Sequence, residues 1–195
     1  MARSDLGTCF RSLMGFESEC GDIAVIKEYD NQCFIALIDV LGHGIEARKV
    51  AILAKNYLEH SYENELTKLM NGLHEHLKGT RGAVAAICHL NILTGKLHYV
   101  GIGNITVRIV GAESRRFIPE DGVIGYIIAK PRRNITKLHN GDILIMYSDG
   151  IKEHFDELEC DGLLKENAER IADGILKKFG KENDDASCVV LKYFV

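Results

Sequence analysis

The sequence contains no tryptophan, only two prolines and no run approaching the roughly 18–20 consecutive apolar residues that a membrane-spanning helix needs. Its first residues, MARSDLGTCF, lack the apolar stretch of a secretory signal. Both absences set the expectation of a cytoplasmic chain with no membrane partner. Positive charge is sparse too: 24 Lys and Arg stand against 28 Asp and Glu, a net charge of -4, and no basic run is long enough to follow a phosphate backbone. A nucleic-acid partner is therefore excluded. The six cysteines (Cys9, Cys20, Cys33, Cys88, Cys160 and Cys188) fall singly, without the paired spacing of a zinc site or a disulfide framework, and none begins a Cys-x₅-Arg phosphatase loop. The histidines do not cluster usefully: His74 and His76 are two apart and diverge on a helix.

What is present is the balance of a folded globular protein, 46% hydrophobic and 27% charged. With 195 residues and no internal repeat or linker, the expectation is one domain over residues 1–195, with no sensor or regulatory domain. Residues 22–39, DIAVIKEYDNQCFIALID, read as two strands joined at Asp30-Asn31, residue types that tolerate the left-handed backbone of a two-residue turn. From Gly44 to about Tyr62, Ala47, Val50, Ala51, Ala54, Tyr57 and Leu58 recur at helical spacing, and a second helix is predicted from about Asn64 to Lys78. AVAAICHLNI, KLHYVGIGN and ITVRIV then read as a meander of strands. A loop region follows around Pro119 to Arg133. Beyond it, a turn at Asn140-Gly141 introduces a strand over Ile143–Tyr147 that ends on Asp149-Gly150. An amphipathic helix is predicted from Leu163 to Phe179, closed by Gly180, and SCVVLKYFV reads as the last strand. The pattern predicts an α+β fold with two antiparallel sheets and helices outside them.

Register makes a chemical prediction. Counted back from a two-residue turn, Asp22 faces Asp39 across the open end of the hairpin. Directly opposed like charges on neighbouring strands are destabilising unless something offsets them, and a divalent cation does. Hard cations such as Mg²⁺ and Mn²⁺ take oxygen ligands and keep several waters, so a few carboxylates at strand ends suffice. Asp149 closes one apolar strand, and Asp184 and Asp185 precede the last; if those two strands are antiparallel neighbours, one sheet end receives them all. A lone strand-end aspartate is more often a turn residue. Asp30, Asp121 and Asp142 keep that reading.

Four segments, CGD (Cys20 to Asp22), IDVLGHG (Ile38 to Gly44), YSDG (Tyr147 to Gly150) and NDDAS (Asn183 to Ser187), occur in this order across nearly the whole chain. Together they resemble the landmark motifs of the PPM, or 2C-type, metal-dependent serine/threonine phosphatases, in the SpoIIE-like bacterial branch. The resemblance implies a β-sandwich flanked by helices in α-β-β-α layers and a two-ion centre of Mn²⁺ or Mg²⁺. In it Asp39 would bridge the ions beside the Val40 carbonyl, Asp22 would bind one ion, and Asp149 and Asp184 the other. Asp185 follows as the family's second acid. Activated water would attack phosphorus directly, and His43 is a candidate proton donor to the leaving oxygen, although DVLGHG carries an insertion relative to the DGHG of other members. The substrate-phosphate arginine of many eukaryotic members has no clear counterpart; Arg11 matches it only in rough location. For a bare catalytic domain of this length, the resemblance implies substrates phosphorylated on serine or threonine within STAS-domain stressosome scaffold proteins, and a role in resetting general stress signalling. The alternatives are a phosphatase of an anti-anti-sigma factor, a small-ester hydrolase, and a non-catalytic docking module of the same fold.

Overall fold

In the computed structural model, which describes residues 2–62, 65–152, 160 and 162–195, Asp30 and Asn31 both adopt left-handed backbone, with φ of 44° and 61°. The two-residue turn therefore forms. It pairs β2 (Asp22–Tyr29) antiparallel with β3 (Gln32–Val40), in the register that sets Asp22 opposite Asp39.

β3 continues into a five-stranded antiparallel sheet in the order β10-β5-β4-β3-β2, with β4 (Ala83–Asn91), β5 (Lys96–Ile102) and β10 (Asn134–Lys137). A second five-stranded antiparallel sheet has the order β1-β12-β11-β6-β7, built from β1 (Arg3–Arg11), β6 (Thr106–Val110), β7 (Arg115–Phe117), β11 (Ile143–Tyr147) and β12 (Ala186–Phe194). A short ribbon of β8 (Gly122–Val123) and β9 (Ile127–Ile128) lies within the stretch expected to be loop. It is tied back to the main body by the Ala83–Ile124 bridge.

The period-two alternation of β3 explains the layering. Ile35 and Leu37 point into an apolar core shared with Val107, Met146 and Val189 of the opposite sheet, whereas Phe34, Ala36 and Ile38 point into a core shared with the first two helices. Each of these side chains is essentially fully buried, worth roughly 1.5–3 kcal/mol apiece for the large ones. The outer layers are α1 (Ile45–Ser61) and α2 (Leu66–His76) on one side and α3 (Ala168–Phe179) on the other, the last packed on Ile145, Tyr147 and Val190. The result is the expected α-β-β-α sandwich. Small residues Ala47, Ala51 and Ala54 along the buried face of α1 let that helix lie close to the sheet.

The boundaries differ where a cap decides them. α2 begins after Glu65, whose carboxylate accepts from the amides of Thr67 and Lys68 at 3.1 and 3.2 Å; the predicted start at Asn64 lies outside the described residues. α3 begins at Ala168 and not at Leu163, because the Asn167 side chain accepts from the Arg170 amide at 2.9 Å, and Leu163–Lys165 forms a separate 3₁₀ turn. Gly180 does occupy the C-terminal cap of α3. Its backbone is extended, though, with φ −66° and ψ 135°, and what it needs is space: a Cβ there would stand 2.5 Å from the Leu176 carbonyl oxygen. Among the described residues, no helix is long and apolar enough to cross a membrane.

Candidate metal centre

Strand ends from both sheets meet at one edge of the sandwich. β11 and β12 are antiparallel neighbours, with Tyr147 opposite Cys188, so Asp149 leaves β11 where Asp184 and Asp185 enter β12. Gly150 allows the approach. A Cβ at that position would sit 1.8 Å from the Asp185 carbonyl oxygen, so any larger residue forces the two segments apart.

A cavity of about 130 Å³ is lined by Asp39, Val40, Leu41, Gly42, Val84, Asn104, Asp149 and Asp184. Four of the residues singled out in the sequence are thus brought together. Asp39, Asp149 and Asp184 are each half-buried there. Asn104 holds the Asp149 carboxylate through its side-chain amide at 2.8 Å. Among the described residues no group of three or more acidic, histidine or cysteine side chains is drawn together closely enough to hold a metal ion by itself; a hard cation that keeps several waters asks for fewer protein ligands.

Asp22 lies behind this cavity, only 1% exposed, and its two oxygens have different fates. Oδ2 accepts from the hydroxyls of Ser148 and Ser187, both at 2.6 Å, which ties β2 of one sheet to β11 and β12 of the other. Oδ1 is buried and accepts from no amide or hydroxyl, and the Asp39 carboxyl opposite hydrogen-bonds Asp22 only while it keeps its proton. Burial pushes the Asp22 carboxyl up to about 6, even though the two serine bonds favour its charged form. Asp39 is pushed further, to about 9, first by burial and then by the charges of Asp22 and Asp149. Asp184 is also raised, by burial and by Asp149. Carboxylates in this state are poised for a cation: a buried oxygen that no amide or hydroxyl reaches, an opposed acid pair and two further acids on one wall are a donor set of hard oxygens that a divalent metal fits.

Two residues of the predicted set are placed elsewhere. Asp185 is 4% exposed, and its carboxylate accepts from the backbone amides of Leu13 and Gly21, both at 2.7 Å. In this structure it anchors the loop that delivers Asp22 and does not line the cavity. His43 is exposed on the loop between Gly42 and Gly44, whose φ values are 81° and 80°. Its carbonyl accepts from Arg81 at 3.4 Å, and it too stands outside the cavity wall. Arg11 donates its guanidinium to the Lys181 carbonyl.

Sequence reasoning missed Ser148, Ser187 and Asn104. The two serines stand in the same motifs as the acids, YSDG and DDAS, but only the pairing of β11 with β12 shows that both aim at Asp22. Asn104 follows β5 in GIGN, a placement that reads as ordinary turn chemistry.

Comparison with known proteins gives this geometry a family. The sequence profile of Stage II sporulation protein E (SpoIIE) matches residues 29–194. A solved structure from work on the bacterial stressosome, described as a modular system adapted to control secondary messenger signalling, is 30% identical; the match covers 97% of this chain and 99% of that one, with a TM-score of 0.89. RsbX in complex with magnesium is 20% identical over 98% of this chain and 95% of its own, with a TM-score of 0.81. The catalytic domain of the serine/threonine phosphatase PstP, in complex with two manganese ions, is 15% identical over 100% of both chains, with a TM-score of 0.73. No curated protein sequence matches. The profile match covers most of the chain, so the chain belongs to the SpoIIE family, and its fold is that of the PPM-type phosphatase structures.

Proposed function

We propose that the chain is a cytoplasmic, Mn²⁺- or Mg²⁺-dependent protein phosphatase that removes phosphate from serine or threonine of STAS-domain stressosome proteins and so resets stress signalling. The observation that carries the reading is the convergence of Asp39, Asp149 and Asp184 on one cavity, with the Oδ1 of Asp22, which accepts from no amide or hydroxyl, buried behind it. Similarity to RsbX and to a structure from work on the stressosome supports the substrate class.

Asp39, Asp149, Asp184 and the Val40 carbonyl would hold the cations, with Asp22 as the buried acid beside Asp39. When bound, divalent cations supply a water of lowered pKa and neutralise charge on the phosphoryl group. Everything else is the work of the chain. Asn104 fixes the rotamer of Asp149, Ser148 and Ser187 fix that of Asp22, and Asp185 holds the Leu13–Gly21 backbone so that β2 starts in register. These locked carboxylates lower the reorganisation needed at the moment of reaction. His43 shares its loop with Leu41 and Gly42 of the cavity wall and is assigned the protonation of the leaving serine or threonine oxygen.

The test is the release of phosphate from a phosphorylated STAS-domain scaffold protein by the purified chain with Mn²⁺. The substrate reading predicts release at least about tenfold faster, in kcat/KM, than from a phosphorylated anti-anti-sigma factor or from small esters, the discrimination that about 1.4 kcal/mol supplies. Faster turnover of the anti-anti-sigma factor would reassign the substrate. Tight binding of either phosphoprotein without phosphate release would identify a docking module.

A further inference from the structure

We propose that Lys181 is the side-chain cation that holds the phosphoryl group of the substrate at the acidic cavity; the proposal deepens the phosphatase reading above and rests on it.

The charge balance of the site calls for a further cation. With their protons displaced by bound metal, Asp22, Asp39, Asp149 and Asp184 carry four negative charges, which two divalent ions balance and do not exceed. A phosphoserine or phosphothreonine brings a further charge of about −2 at pH 7. It meets no net attraction unless a side chain adds positive charge nearby, and among the described residues no lysine or arginine lines the acidic cavity itself.

The neighbouring cavity, of about 350 Å³, shares Asn104 and Asp149 with the acidic one and brings Lys181 and Arg116 to its wall. These two are not equivalent. The Arg116 guanidinium is engaged by the Thr106 hydroxyl at 3.3 Å. Lys181 stands three residues before Asp184, on the segment that leads into β12, and among the described residues its ammonium forms no ion pair. Its charge is nonetheless felt at the acidic wall: burial and Asp149 raise the Asp184 carboxyl, and Lys181 opposes that rise. The ammonium is thus near the metal ligands without being tied to them.

The backbone of Lys181 is held from two sides. Its amide donates to the Gly150 carbonyl at 2.7 Å, beside an antiparallel bridge between Ile151 and Gly180, so the lysine is fixed against the segment that delivers Asp149. Its carbonyl accepts from the Arg11 guanidinium. Arg11, which rough location alone recommended as a phosphate ligand, therefore serves as a support for Lys181. A lysine on such an anchor suits a group that must arrive and leave: a compact charge with three donors on a flexible stem grips a phosphoryl oxygen without demanding one fixed bidentate geometry.

The experiment uses the full chain saturated with Mn²⁺ and two probes, inorganic phosphate followed by titration calorimetry and p-nitrophenyl phosphate followed by turnover. K181Q should bind phosphate roughly tenfold more weakly, the loss expected for one hydrogen bond from a charged donor. It should raise KM for the ester by a similar factor with kcat within about threefold of the parent, and K181R, which keeps the charge, should recover most of both. Calorimetry of Mn²⁺ binding to the metal-free chain should show K181Q binding as tightly as the parent or more so, because a positive charge beside Asp184 has been removed; a purely structural role for Lys181 would weaken it. Unchanged phosphate affinity and KM in K181Q, weakened Mn²⁺ binding, or no recovery in K181R would overturn the role of Lys181 and leave the phosphatase standing. Absence of metal-dependent turnover by the parent overturns the phosphatase reading and the proposal with it.

Discussion

Replacing Asp39 by asparagine should stabilise the metal-free protein while removing its activity. Asp39 faces Asp22 in the hairpin register, so the Cβ atoms stand about 5 Å apart. Two like charges at that separation, with an effective dielectric constant of about 20, would repel by roughly 3 kcal/mol, and with its carboxyl raised to about 9 Asp39 avoids that near pH 8 by keeping its proton, which itself costs stability. Asparagine removes the need to hold that proton and offers an amide to Asp22. Some packing is lost, and a net gain of about 2 kcal/mol near pH 8 follows, which for a chain of this size is roughly 4–8 °C in Tm. The sign with pH is fixed by the direction of the shifts. Both carboxyls are raised from the ordinary 3.8, Asp22 to about 6 and Asp39 to about 9. The folded chain therefore binds more protons than the unfolded one; the pair is harmless below about pH 4, and stability is lost as pH rises toward 9. Thermal melts in chelator across pH 4–9 read this out. D39N should melt above the parent at pH 8 and level with it at pH 4, and saturating Mn²⁺ should reverse the order by stabilising only the parent, by about 2.7 kcal/mol at a hundredfold excess over Kd. A variant that melts below the parent at pH 8 in chelator, or a gain equal at pH 4 and pH 8, would refute the opposed-pair argument.

Ser148→Ala should cost about 1–2 kcal/mol, because it removes a buried bond to the Asp22 carboxylate, and should weaken Mn²⁺ binding; calorimetry of metal binding and chemical denaturation check both. Gly150→Ala places a methyl group against the Asp185 carbonyl and should destabilise by about 3 kcal/mol while abolishing turnover, with a denaturant midpoint unchanged from the parent as the contrary result. His43→Gln should lower turnover of a phosphoserine peptide by about 10²-fold and spare p-nitrophenyl phosphate, whose leaving group needs no proton; equal losses on both would remove His43 from the proton-donor role. Asp185→Asn keeps one oxygen for a backbone amide and loses charge at the other. It should therefore lower stability by about 1–2 kcal/mol in the presence or absence of metal alike, a comparison that denaturation with and without Mn²⁺ makes directly.

What the sequence made legible is what local chemistry determines. Asp30 and Asn31 demand a two-residue turn, and that turn alone sets Asp22 against Asp39. Asp142 is legible in part: it accepts from the His139 amide three residues back as a turn aspartate does, but also from the Ala112 amide, which only the fold brings near. What escaped depends on partners distant in the chain. β1 carries the half-buried sequence RSDLGTCFR, which has no clean alternation, and it becomes a strand because β12 offers it an edge. The β8–β9 ribbon has two residues per strand, too few for a periodic signal. Asp184 and Asp185 are adjacent and alike in sequence. Only the fold separates the one that lines the cavity from the one that accepts the Leu13 and Gly21 amides.

If the carboxylates gathered at the sandwich edge hold the metal that drives phosphate ester hydrolysis, activity must follow the metal and Asp39 together. Hydrolysis of p-nitrophenyl phosphate by chelator-treated protein, with Mn²⁺ or Mg²⁺ titrated back and D39N run alongside, tests it most directly. The expected result is no turnover after chelation, recovery with added metal, and none in the variant at any metal concentration. Undiminished turnover by the chelated parent, or full metal-dependent turnover by D39N, would contradict it.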